Sequence, residues 1–356
     1  MRIQRWLTLL LVFAAVVRFT LPTTVELDAL DGVLRHRRSP AAIAVAPTVA
    51  LATVHVPTSD VPRRIPRRLL FLFGFWDETF RLPLDDCDFT SPAPPPCLRL
   101  SRVAHLLPTD VAARLSAWTS RYASWESVIL DFSGAKKLAA ARFPEFSATL
   151  VAAHTGVQRS DIARLLMLAA YGGIYADADT TPSSSDVNEL LDSDHARSNS
   201  LFFEETVLTP EQAAAAARAH PIREGAPEAR QRIANYFMAS APAAADTCAG
   251  GAALATLKLI SARVGLHPTL SSDTDYDVLF TTGPDALTDT VHSLRGWSLD
   301  GSDITGTARL DAAKDVETVL RAADSGHGAD CVGVVPRPID QLYFTHGADG
   351  AWKRRT

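Results

Sequence analysis

Apolar residues at Ile162, Leu165, Leu166 and Ala169 recur at i, i+3, i+4 and i+7, the spacing of one buried helix face. Ser160 stands where an N-cap belongs, and Asp161 falls at the positive end of the helix dipole. Gly172 and Gly173 end the pattern, since glycine accepts the left-handed conformation of a C-terminal cap. Ile174-Tyr175-Ala176 then reads as a short strand that delivers Asp177 and Asp179 at its end. Side chains two apart on a strand point to the same side. Carboxylates converging there suit a hard divalent cation, which prefers oxygen ligands and often shares them with phosphates.

The remaining pattern builds a frame around that stretch. Residues 65–75 contain the continuous apolar run Leu69-Leu70-Phe71-Leu72-Phe73 closed by Gly74, as expected of a strand buried in a parallel sheet. Residues 85–96, with Pro92, Pro94, Pro95 and Pro96, form a loop by composition. Residues 111–125 read as a helix leading to a strand at 128–131, and 135–143 as a helix that Pro144 stops. Beyond the aspartates, 183–200 is polar and loop-like, 201–203 a short strand, and 211–219 an alanine-rich helix or flexible insert. Residues 252–264 are helical in pattern. Residues 280–284 read as a strand ending in a Gly-Pro turn, 287–294 as a helix and 332–335 as a last buried strand. Strands alternating with helices predict an α/β domain with a mostly parallel sheet, whose ligands sit at the strand C-terminal ends.

The N-terminus departs from this pattern. Arg2 and Arg5 precede a run from Trp6 to Val17 that is apolar apart from Thr8, and the run reaches Leu21 if Arg18 snorkels to the interface. That length approaches the roughly 17–25 residues of a membrane span. The leading arginines predict a cytoplasmic N-terminus. An uncleaved signal-anchor over residues 1–21 fits better than a cleaved signal peptide, because Ala14-Ala15 runs into Val-Val-Arg rather than a small-x-small site. Either reading places the body of the protein in the secretory lumen. Residues 22–60 hold no lasting period and read as a stem, leaving 61–356 for the folded domain.

With 356 residues the chain can bury a sizeable core. A net charge of −5 and the lack of a basic stripe interleaved with aromatics argue against a nucleic-acid partner. Cys87, Cys97, Cys248 and Cys331 match no zinc spacing. They can pair in an oxidising lumen, Cys87 with Cys97 across the Pro-rich loop, or remain buried thiols. Asn188, Asn199 and Asn235 all lack the hydroxyl two residues on that N-glycosylation requires.

Ser160, Asp161 and Arg164 on a helix, followed by Gly172-Gly173-Ile174-Tyr175 leading into Asp177-x-Asp179, together resemble glycosyltransferase family 32. Looser matches extend the resemblance over most of residues 65–353. They are Ile65-Pro66-Arg67 for an opening Ile-Pro-Lys, Thr282-Gly283-Pro284 for a Thr-Gly-Pro turn, and His346 with Trp352 near the end. Leu70 to Gly74 and Ala243-Ala244-Ala245 stand where the family often has His-Gln-x-Trp and Gly-His-Pro.

The resemblance implies a GT-A fold and retaining transfer of a sugar from a nucleotide-sugar donor to a glycan or glycolipid acceptor, with Mn²⁺ (or Mg²⁺) as cofactor. GDP-mannose is the first expectation for the donor and the Golgi membrane, in type II orientation, for the location. In such a site Asp177 and Asp179 hold the cation against the leaving diphosphate, and His346 adds a metal or diphosphate contact. Asp161 and Arg164 reach the sugar hydroxyls and diphosphate, Tyr175 brings its hydroxyl near the donor, and Phe75 and Trp76 stack the nucleotide base.

A different chemistry shares some of these letters. Asp177-Ala-Asp179-Thr-Thr181 after an apolar strand looks like the nucleophile loop of haloacid-dehalogenase-type phosphatases, which would recruit Lys258 and an acid pair, Asp285 and Asp289. A non-catalytic glycan-binding relative is the third reading.

Overall fold

A computed structural model describes residues 65–77, 79–192, 199–207, 231–243, 251–266, 275–295, 332–335 and 343–347. Contacts divide the chain into Met1–Asp60 and Val61–Thr356. The predicted anchor (1–21), the stem (22–60), the helix at 211–219, Cys248, Cys331 and Trp352 lie outside the described residues. Among the described residues, no helix is long and apolar enough to cross a membrane.

A seven-stranded sheet forms the centre. β1 (Arg68–Leu72) lies between β2 (Glu126–Leu130) and β3 (Gly173–Ala176), parallel to both. β7 (Phe237–Ser240) pairs antiparallel with β3 and with β5 (Ser200–Val207). β8 (Val332–Val335) runs parallel to β5, and β6 (Gln231–Ile233) antiparallel to it. Thus β1, β2, β3, β5 and β8 share one direction, and the mostly parallel mixed α/β sheet is as expected. The apolar run of β1 is buried on both faces; Leu69, Leu70 and Phe71 have no exposed surface.

The helices are α1 (Leu100–Val103), α2 (Thr109–Arg121), α3 (Phe132–Arg142), α4 (Pro144–Ala152) and α5 (Gly156–Tyr171), then α6 (Val187–Asp192), α7 (Gly251–Leu266), α8 (Asp275–Thr281) and α9 (Pro284–Arg295). Several boundaries correct the sequence reading. Pro144 does not merely stop α3; it occupies the first turn of α4, where its missing N–H costs nothing. Residues 183–200 are not all loop, because Val187, Leu190 and Leu191 bury one side of α6. The strand expected at 280–284 is the end of α8 and the turn into α9. Continuous apolar runs leave helix and strand indistinguishable by period alone, so Phe280-Thr281 takes the form its neighbours impose.

Cys87 and Cys97 form a disulfide with a Cα–Cα distance of 5.9 Å. It closes the Pro-rich loop that follows β1. The same loop is tied to the sheet by buried Asp131, which accepts from the Leu82 amide at 2.8 Å and caps α3 through the Gly134 amide at 2.7 Å.

Candidate active site at the end of β3

Helix α5 begins one turn earlier than the apolar pattern suggests. Its N-cap is Thr155, not Ser160, and Thr155 forms a reciprocal capping box with Gln158. Ser160 instead donates to the Val157 carbonyl at 2.8 Å. Asp161 is therefore not a surface acid favoured by the dipole but a residue of the second turn, 2 % exposed. At the other end Gly172, with φ 61°, caps the helix and lets β3 follow at once.

β3 ends at Ala176, so strand pleating does not bring the two acids together. A tight turn does. The Thr180 amide and hydroxyl both donate to the Asp177 carbonyl, at 2.9 and 2.7 Å. β4 (Thr180–Pro182) leaves this turn and pairs antiparallel with β9 (Phe344–His346), placing Thr180 opposite His346. His346 Nε2 lies 3.4 Å from Asp179 Oδ1, and the Gly347 amide donates to the Asp179 carbonyl at 3.0 Å. The imidazole stacks flat on Tyr236, with centroids 4.0 Å apart and planes at 2°.

One ligand atom from each of Asp177, Asp179 and His346 lies within 4.8 Å of the others. Asp179 Oδ1 is buried yet accepts no hydrogen bond, although buried polar atoms are nearly always satisfied. Two carboxylates and an imidazole with one oxygen left over fit a divalent metal that tolerates mixed oxygen and nitrogen donors.

Behind the acids lies a buried ionic network. Arg164, 5 % exposed, reaches Asp161 at 3.0 Å and Asp177 at 3.4 Å, donates to the Asn235 carbonyl at 2.6 Å, and lies 5.0 Å over the Tyr175 ring. Asp161 also accepts from Asn235 Nδ2 at 3.0 Å and Thr282 Oγ1 at 2.9 Å. Burial is the largest influence on Asp161 and pushes its pKa up to about 6, against the opposing pull of Arg164 and the Thr282 hydroxyl. Burial likewise raises Asp177, with Arg164 opposing. For Arg164 burial works against the charge, but Asp177, Tyr175 and Asp161 outweigh it and raise the pKa. His346 is also raised: its burial is overcome by the neighbouring Asp179 carboxylate.

The fold thus gathers Asp161, Arg164, Tyr175, Asp177, Asp179 and His346 into one site. Tyr175 is 1 % exposed and its hydroxyl donates to Asp177, so it faces the acid from inside the core. The aromatic pair divides. Phe75, expected as a base platform, is 1 % exposed and packs on Phe132, leaving no free ring face. Trp76 is 46 % exposed and sits over Gly156 at the start of α5, where a Cβ would stand 2.9 Å from its ring.

Asn235 and Thr282 escaped the sequence reading as site residues. Asn235 lies in the bend between β6 and β7 and drew notice only as a non-acceptor for glycans. Thr282 had a visible signal in its Thr-Gly-Pro turn but no role. The phosphatase constellation is not assembled: Asp285 pairs with Arg232 at 3.1 Å, Asp289 with Arg263 at 2.5 Å, and Lys258 is exposed on α7.

Residues 108–197 match the family model described as a glycosyltransferase sugar-binding region containing a DXD motif. Over these residues the chain is similar to the DXD-containing sugar-binding region of glycosyltransferases. The matched segment runs from α2 through α6 and includes Asp161, Arg164, Asp177 and Asp179. His346, Asn235 and Thr282 come from outside it. No curated protein matches the chain. Among solved structures it is similar to the PaToxG glycosyltransferase, with a TM-score of 0.31 and 12 % identity over 82 % of this chain and 83 % of that one, too distant a likeness to bear on mechanism.

Proposed function

We propose that this chain is a metal-assisted, retaining glycosyltransferase of the GT-A type, with residues 61–356 as its catalytic domain. The carrying observation is the convergence of Asp177, Asp179 and His346, with Asp179 Oδ1 buried and met only by His346 Nε2 at 3.4 Å. Mn²⁺ held by those three residues would supply a Lewis acid for the charge that develops on the leaving diphosphate.

The remaining work falls to the protein's own groups. Arg164 is kept charged and adds fixed positive potential next to Asp177. Asp161, held by Asn235 and Thr282, keeps Arg164 oriented behind Asp177. Tyr175 fixes one Asp177 oxygen, leaving the other for the ligand. Trp76 offers a ring face for the nucleotide base at the same sheet edge. We name no enzymic nucleophile, because in a front-face reaction the departing phosphate oxygen takes the acceptor proton.

GDP-mannose is the proposed donor, a glycan or glycolipid the acceptor, and the Golgi lumen the location, with residues 1–21 as a type II anchor and 22–60 as the stem. The Cys87–Cys97 disulfide supports an oxidising compartment. The test is hydrolysis of GDP-mannose, UDP-galactose, UDP-glucose and UDP-GlcNAc, each with Mn²⁺, with Mg²⁺ and with chelator. Metal-dependent release of one nucleoside diphosphate is expected. Absence of release from every donor, with a correctly folded protein, would reject the reading.

A further inference from the structure

One face of α2 is directed at the backbone of the acid turn. Arg114 Nε donates to the carbonyl of Ala178 at 2.8 Å, and Trp118 Nε1 donates to that of Thr180 at 3.1 Å. One turn further on, Arg121 reaches the carbonyls of Ser183, Ser184 and Ser185. The spacing 114, 118, 121 is i, i+4, i+7, so these donors lie in a row along the helix. Their acceptors follow one another along the chain from the Asp-x-Asp turn through β4. Asp179 sits between the first two carbonyls that are gripped.

Each anchor is itself fixed. Trp118 has no exposed surface and stacks between Tyr122 and Phe237, with centroids at 6.0 and 5.5 Å. Arg114 is oriented by Asp110 at 3.0 Å, one turn back on the same helix. The Thr180 amide closes the turn on the Asp177 carbonyl and the Gly347 amide holds that of Asp179, whereas the carbonyls of Ala178 and Thr180 take these side-chain donors from α2.

We propose that Arg114 and Trp118 are positioning residues for the acid turn, gripping the main chain on both sides of Asp179 so that its carboxylate is held toward Asp177 and His346 before any ligand arrives. Neither touches the reacting atoms; both act through the backbone of Ala178 and Thr180. The effect on metal rests on the cation role proposed above, whereas the effect on the turn does not.

The test uses the full chain with Arg114→Gln, Arg114→Lys and Trp118→Phe. Mn²⁺ alone is titrated by loss of the free-ion paramagnetic resonance signal, amide exchange is followed over residues 177–183, and thermal unfolding is recorded in parallel. Arg114→Gln and Trp118→Phe are expected to weaken Mn²⁺ binding about tenfold or more, the cost typical of losing a group that orients a ligand. Exchange over 177–183 should rise by a similar factor, in Arg114→Gln with the melting temperature unchanged and in Trp118→Phe with some loss of stability from the buried ring. Arg114→Lys should recover part of both effects, having a donor but no planar fork.

Unchanged exchange in both Arg114→Gln and Trp118→Phe overturns the inference. If the wild-type chain binds no Mn²⁺, the cation reading fails, and the exchange result alone then decides whether α2 positions the turn. Should Trp118→Phe fail to fold, Arg114→Gln carries the test, since Arg114 is only part-buried.

Discussion

Asp161 and Asp179 are carboxylates of the same glycosyltransferase-like segment, and their surroundings assign them opposite work. Asp161 is 2 % exposed and bound by Arg164, Asn235 and Thr282. Asp179 keeps 44 % of its side chain exposed, and its inward oxygen accepts no hydrogen bond. The first acid is occupied by the protein and holds the site together. The second is left with capacity for something the protein does not itself supply. Residue type alone would treat them alike; the difference lies in how many donors the fold brings to each.

The sharpest way to break this contrast is to truncate each acid. Asp161→Ala leaves Arg164 buried with a weaker partner, and losing half of such a pair costs about 3–5 kcal/mol of stability. Urea denaturation would measure it, and a loss below about 1 kcal/mol, the ordinary effect of a substitution, would mean Asp161 is not the keystone described. Asp179→Asn should do the reverse. Activity is expected to fall about 10³-fold, as when a group that stabilises charge in the transition state is removed, with an unchanged melting temperature. Full activity in that variant would remove the cation role.

A third test follows from the burial of Asp161. Its folded pKa of about 6 lies above the ordinary aspartate value of 3.8, so between those values the folded state holds a proton the unfolded chain has lost. Its contribution to stability is therefore complete below pH 4 and declines as pH rises through 6. The span corresponds to about 3 kcal/mol. Subtracting the pH-stability curve of Asp161→Asn from that of the wild type isolates it; a difference that grows with pH would reverse the assignment. The smallest expected effect concerns the aromatics. Trp76→Ala should raise the donor KM roughly fivefold, about 1 kcal/mol of stacking, with stability unaltered. Steady-state kinetics would detect it, and a fall in stability without a KM change would return Trp76 to packing.

Much of this was legible along the chain. The apolar face of α5, the glycine cap, the strand β3 and the Asp-x-Asp sequence lie consecutively, and their periods and turn residues identify them without knowledge of any neighbour. The same holds for β1, whose unbroken apolar run announces burial on both faces. Where local signals conflict, as at Pro144 or Phe280-Thr281, packing decided the outcome. The start of α5 also moved, because Thr155 with Gln158 makes a better cap than Ser160 with no matching partner one turn on.

What the sequence by itself determined, then, is that two acids follow the C-terminal end of a buried strand in a mostly parallel sheet. The tertiary structure decided how they are used. The pairing of β4 with β9 sets His346 beside Asp179, and the bend at Asn235 and the turn at Thr282 close over Asp161. The row of donors on α2 reaches the turn from a different helix. These contacts join residues far apart in the chain. No local period encodes them, because a hydrogen bond between distant segments exists only once the burial of both has brought their donors and acceptors within reach.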